Sequence, residues 1–183
     1  MVQHDFELTV PVNANDHVTG GEHAPVTLLE YGDFECPNCR QAQPAVKLLL
    51  ERFAPRVRFV YRHFPLEDVH PHALAAALAA ECAAGQGQFW AMHDLLFENQ
   101  LHLTTADLHG YAQRLGLDAA RFTSEMDDQI YLQRVREHLR SGTESGVRGT
   151  PGFFINGRIH DVSFGLRSLF DSVEAALHSA PRR

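Results

Sequence analysis

Two cysteines stand at positions 36 and 39, separated by Pro37 and Asn38. Thiols at that spacing can close a disulfide with each other. The apolar run 26–31 leads into them and a helical pattern leads away, so the first sulfur falls at a helix start. Unpaired N–H groups and the positive end of the helix dipole favour its thiolate there, the form that attacks disulfides. Pro37 suits a first helical turn, where a missing N–H costs nothing. Cys82 stands apart, so the three cysteines read as a reactive pair plus a single thiol, not as a disulfide scaffold. Late in the chain, Gly149-Thr150-Pro151-Gly152 precedes a second apolar run, Phe153-Phe154-Ile155.

The other chemistry to weigh is metal binding. Twelve histidines are scattered along the chain, and none falls in a His-Glu-x-x-His arrangement. His70 and His72 flank Pro71 in a loop, and most of the twelve read as solvated surface residues. A zinc module built from Cys36, Cys39 and two histidines is the non-catalytic alternative. No second pair stands at ligand spacing, and a proline at the helix start suits disulfide chemistry better.

These residues need elements to position them. Residues 26–31 form a buried strand, and a helix from 36 carries Val46, Leu49, Leu50 and Phe53 at helical spacing. Residues 57–61 form a second strand, parallel to the first because a helix connects them. From about 72 to about 146 the chain is helical. Helices are expected at 73–84, 89–97, 104–115 with Thr104 and Asp107 as a capping box, from Asp118, and at 130–139, with Gly142 and Gly146 closing the block. Asn156-Gly157 then marks a tight hairpin, and a last helix covers 166–177. Residues 1–25 read as an irregular extension with a short edge strand through Phe6, Leu8 and Val10. The fold class is α/β.

The net charge of −7 argues against a nucleic-acid partner, which calls for a basic face. No apolar stretch is long enough to span a bilayer, so no membrane partner is expected. The first residues lack the basic start and apolar block of a secretory signal. A cytoplasmic location follows, or a periplasmic or extracellular one if a signal has been removed.

The chain resembles the thioredoxin superfamily, and within it the DsbA-like thiol-disulfide oxidoreductases. Four features carry the likeness: the Cys36-Pro37-Asn38-Cys39 dithiol after the first core strand, Glu30 six positions before it, Thr150-Pro151 before the late hairpin, and the helical block between. The resemblance implies a thioredoxin-like fold over 26–66 and 147–183 with an all-helical domain, 67–146, inserted. It implies a monomer that exchanges disulfides with protein or peptide thiols, is recycled by a redox partner, and uses no metal or organic cofactor. A glutathione-dependent isomerase or transferase on the same scaffold is a further alternative, although that branch usually has serine where this chain has Cys36.

The resemblance also assigns roles. Cys36 is the nucleophile, and Cys39, one turn later and less exposed, resolves the mixed disulfide. Pro37 and Asn38 tune the couple. Asn38 is neutral where the periplasmic oxidases have histidine, which predicts a less acidic Cys36 and a less oxidising disulfide. Pro151 is expected in the cis form, setting the Thr150 backbone opposite Cys36 to pair with an extended substrate. Glu30 is either a buried base for the Cys39 proton or a strand glutamate that reaches water or a lysine. Cys82 shares an apolar helix face with Leu74 and Leu78, which favours core filler over a third relaying thiol. Phe34, Phe89, Trp90 and Phe97 either line a substrate groove or belong to the core.

Overall fold

The computed structural model describes residues 7–162 and 165–180. Its centre is a pair of parallel strands, β2 (Val26–Gly32) and β3 (Val57–His63), joined by α1 (Pro37–Phe53) and aligned from Val26 opposite Val57 to Gly32 opposite His63. Both strands are covered on both faces, which explains why they read as apolar runs rather than alternating patterns. β4 (Gly152–Ile155) pairs antiparallel with β2, and β5 (Arg158–His160) pairs with β4. The turn between them has Asn156 at φ 49° and Gly157 at φ 84°, the two positive values a type I′ hairpin demands. α7 (Leu166–Ser179) buries Leu169, Val173 and Leu177 beneath the sheet.

The edge strand is not where the sequence pattern put it. β1 (His17–Gly20) lies antiparallel to β3 and sets the sheet order β1-β3-β2-β4-β5. Phe6 is outside the described residues. Leu8 donates its N–H to the Gly157 carbonyl and Glu7 forms an isolated bridge with Arg158, so this stretch touches the hairpin without forming a strand. β1 reads His-Val-Thr-Gly and offers one apolar side chain, so it carries no alternation to detect. Arg62 fixes the arm in place. Its buried guanidinium binds Asp16 through Nε at 2.8 Å and Nη2 at 2.9 Å, and donates to the Val10 and Pro11 carbonyls.

Between β3 and β4 run α2 (Ala73–Ala84), α3 (Phe89–Glu98), α4 (Thr105–Arg114), α5 (Ala119–Asp127) and α6 (Leu132–Glu144). Thr104 and Asp107 form the expected capping box, and Asp118 caps α5 through the Arg121 N–H. Gly142 sits inside α6 rather than closing the block. A Cβ there would meet the Phe64 ring at 2.7 Å and the Tyr31 ring at 2.9 Å, so α6 can approach the sheet only through glycine.

The histidines also depart from expectation. His63 and His93 are buried, and His17, His63 and Arg134 all converge on the buried Glu81 Oε1, at 2.8, 2.8 and 3.1 Å. This carboxylate draws β1, β3, α2 and α6 together, which explains why histidines leave the surface here.

Candidate active site

Cys36 is the N-cap of α1 and Pro37 its first residue. Only 5% of Cys36 is exposed, while its neighbours Pro37 and Asn38 are open to solvent. The Cys36 thiol is pulled down to about 5. Its hydrogen bond with Cys39 is the largest cause. Burial opposes the shift, and contacts with Thr150 and with the Cys39 and Asn38 N–H groups add to it. Asn38 therefore acts on the sulfur through its backbone. In its neutral form the Cys36 thiol donates to the Thr150 carbonyl at 3.3 Å. The Thr150-Pro151 peptide is cis.

Cys39 is fully buried, and the Asp33 N–H reaches its Sγ at 3.5 Å. Burial pushes its thiol well up, and donating to Cys36 and facing the charges of Glu30 and Cys36 push it further. Glu30, with no exposed surface, is pushed up to about 8, chiefly by burial. Gln43 Nε2 donates to Glu30 Oε2 at 3.3 Å and works against that shift, whereas Oε1 has no hydrogen-bond partner among the described residues. No lysine and no water surface satisfies this acid. Tyr61 stands opposite Glu30 in the β2–β3 register, its ring pressed on Gly32, where a Cβ would meet it at 2.5 Å. The site thus has one marginally exposed sulfur whose thiol is pulled down, one inaccessible sulfur whose thiol is pushed up, and a buried carboxyl coupled to the second.

The turn carrying Cys36 is clamped from two sides. Gln100, buried in the loop after α3, donates both amide hydrogens, to the Phe34 and Cys36 carbonyls at 2.8 Å each. Opposite it, Asp33 and Glu35 hold the loop that follows β3, pairing with His70 at 2.8 Å and His72 at 2.9 Å. Sequence reasoning missed Gln43, Gln100, Tyr61, His70 and His72. Matched acid and histidine pairs at a spacing of two, Asp33/Glu35 and His70/His72, were the one available signal. A buried glutamine between helices leaves none.

Other candidates lie elsewhere. Cys82 belongs to the core, and burial pushes its thiol up to about 12, so it cannot relay a disulfide as a thiolate. Phe34, Phe89 and Phe97 are buried, packed on Tyr61 and His93. Trp90 is half-buried, with its indole N–H on the Val18 carbonyl at 3.2 Å. These rings are core, not a groove. The zinc alternative is corrected as well. Among the described residues the one grouping of three potential ligand side chains is His17, His63 and Glu81, which includes neither Cys36 nor Cys39. Arg134 already supplies a cation to the same Glu81 oxygen.

The family model described as Thioredoxin matches residues 12–174. The Na(+)/H(+) antiporter NhaA 1 of Salinispora arenicola (strain CNS-205) is 51% identical over 172 residues, covering 93% of this chain and 26% of that protein. The chain spans about a quarter of the length of the curated relatives it matches. A solved thioredoxin-like oxidoreductase from Silicibacter pomeroyi DSS-3 superposes with a TM-score of 0.80 at 27% identity, covering 92% of this chain and 95% of that one. Oxidised BdbD from Bacillus subtilis shares the fold, with a TM-score of 0.82 at 20% identity over 96% of this chain and 98% of its own.

Proposed function

Because the chain belongs to the thioredoxin family, with the helical insertion and fold of DsbA-type thiol-disulfide oxidoreductases, we propose that Cys36 and Cys39 exchange disulfides with protein or peptide thiols. The Cys36 thiolate attacks one sulfur of a substrate disulfide. The other substrate sulfur leaves as a thiolate, and a mixed disulfide remains on Cys36. Cys39 then gives its proton to the carboxylate of Glu30, in the minority of molecules where that acid is ionised near neutral pH, and attacks the Cys36 sulfur. The remaining substrate sulfur leaves as a thiolate, the Cys36–Cys39 disulfide forms, and two electrons have passed to the substrate. Run backwards, the same steps oxidise a substrate dithiol.

One observation carries this reading: Cys36 sits at the N-cap of α1 against the Thr150 carbonyl while Cys39 lies fully buried behind it, a placement that pulls the first thiol down to about 5 and pushes the second well up. Attack and resolution need that division, and a structural cysteine pair does not. The Thr150 carbonyl beside Cys36 supports pairing with an extended substrate backbone, and no cofactor enters any step. Asn38 adds no cation to the motif, which supports a couple less oxidising than one with histidine there. A single copy carries all these groups, and a separate redox partner must return the dithiol to its starting state. The partner's potential and the compartment, cytoplasmic or periplasmic or extracellular, set the direction of exchange.

The antiporter name belongs to proteins of about four times this length. Among the described residues no helix is long and apolar enough to cross a membrane. The matched stretch takes in the dithiol positions of this chain, so this chain corresponds to one segment of those longer proteins.

The test is Cys39→Ser, incubated with a peptide disulfide. A mixed disulfide on Cys36 should accumulate, visible as a mass increment that dithiothreitol removes, while Cys36→Ser gives none. Failure of Cys39→Ser to trap any peptide would overturn the proposal.

A further inference from the structure

Asp33 occupies a junction that the exchange steps above do not use. Through its backbone it touches both cysteines, donating its N–H to Cys39 Sγ at 3.5 Å and accepting the Cys36 N–H at 3.1 Å. Through its carboxylate it holds the loop after β3. Oδ1 accepts the Glu35 N–H at 2.8 Å, and Oδ2 accepts the Leu66 N–H at 2.9 Å and pairs with His70 Nδ1 at 2.8 Å. The Asp33 side chain is fully buried, and a lone buried anion behind the dithiol would oppose the Cys36 thiolate. His70 is the cation that can answer it, and its side chain is 18% exposed, open to exchange protons with solvent.

We infer that His70 is a positioning residue for the exchange reaction: as an imidazolium seated on Asp33 it cancels the carboxylate behind the dithiol and favours the Cys36 thiolate, and it withdraws that support when it deprotonates. The inference rests on Cys36 being the exchanging thiol. The groups facing His70 are Asp33, Cys36 and Glu35, and Glu35 is itself paired with His72. Burial opposes the His70 charge. The hydrogen bond and charge of Asp33, then the charges of Cys36 and Glu35, more than offset it, so His70 ionises above its ordinary range. Coupling of this kind is reciprocal. Whatever the thiolate adds to the proton affinity of His70, the imidazolium removes from that of Cys36. Closing the disulfide removes the thiolate, so His70 must release its proton more easily in the oxidised protein. As pH rises through the His70 pKa, the reduced form loses support and the couple becomes less oxidising.

Two measurements test this. His70 is titrated by NMR in reduced and oxidised wild-type protein, and the Cys36 thiolate is titrated by ultraviolet absorbance in reduced wild type and in His70→Gln. The glutamine can still donate a hydrogen bond to Asp33 but carries no charge. The proton affinity of His70 should be about threefold or more higher in the reduced protein. His70→Gln should shift the Cys36 ionisation and the equilibrium with glutathione by the same factor, the latter toward the disulfide. A purely structural His70 would move stability alone. Identical His70 titrations in both redox states, or an unchanged Cys36 curve in His70→Gln, would overturn the inference. If the variant does not fold, the wild-type comparison still decides. Both titrations work without substrate, so a protein inert to every disulfide but shifted by His70→Gln would sink the exchange reading and leave this coupling standing.

Discussion

Replacing Glu30 with glutamine should make the protein more stable and slower. The Glu30 carboxyl has no exposed surface and ionises at about 8 in the fold, against 4.5 for an ordinary glutamate. Above pH 4.5 the unfolded chain therefore releases a proton that the folded chain retains. Each pH unit in that interval is worth about 1.4 kcal/mol against folding, so at pH 7 the acid costs roughly 3 kcal/mol. The sign is that of a carboxyl with a raised pKa, whose destabilisation is absent below pH 4.5 and grows until the folded protein also ionises. Glutamine has the same size and still accepts from Gln43. Urea unfolding of the reduced proteins should show Glu30→Gln equal to wild type at pH 4 and more stable by roughly 3 kcal/mol at pH 7. Resolution of a mixed disulfide should slow about 100-fold, because Cys39 loses its proton acceptor. A stability difference that stays flat with pH, or a wild type that is the more stable at pH 7, would refute the assignment of Glu30 as a buried acid with a raised pKa.

Thiolate absorbance of the reduced protein should rise with a midpoint near pH 5 and vanish in Cys36→Ser, and a midpoint near 8 would contradict the helix-start argument. Glu81 is held below the ordinary carboxylate range: burial opposes this, but hydrogen bonds from His17 and His63 prevail. Its stabilisation is complete above pH 4.5 and is lost as pH falls, while the neutral His63 and His138, both lowered by burial, add a loss that begins below about 6.5. Glu81→Gln should cost about 3 kcal/mol at neutral pH and flatten the acid side of a plot of Tm against pH. Gly142→Ala should cost about 1–3 kcal/mol by forcing a methyl into the Tyr31 and Phe64 rings. Gly110→Ala, inside α4 with nothing within 4 Å of its Cβ, should gain up to about 1 kcal/mol, and chemical denaturation separates the two.

The parallel strands, the helix order and the Asn156-Gly157 hairpin were legible because each is written locally, in apolar runs, caps and turn residues. The dithiol was legible for the same reason, and Glu30 because a lone acid interrupts an apolar strand. β1 was not, since its hold on β3 comes from backbone pairing and from Arg62 reaching back to Asp16. Buried histidines failed for a related reason. His63 is polar by type, and only the distant Glu81 and Arg134 make its burial tolerable. Gln100 and His70 act on the Cys36 turn from far along the chain, so no window of sequence contains both the clamp and what it clamps.

The chain has a single tryptophan, and its position makes it a gauge of something other than the sulfurs. Trp90 rests on Phe59 and Phe89 and is tethered to the backbone of the edge strand. Its fluorescence therefore follows the seam where the sheet margin meets the inserted helices. Peeling of that margin during heating will register optically without any label, ahead of or together with loss of the interior, and so separates local fraying from collapse of the whole.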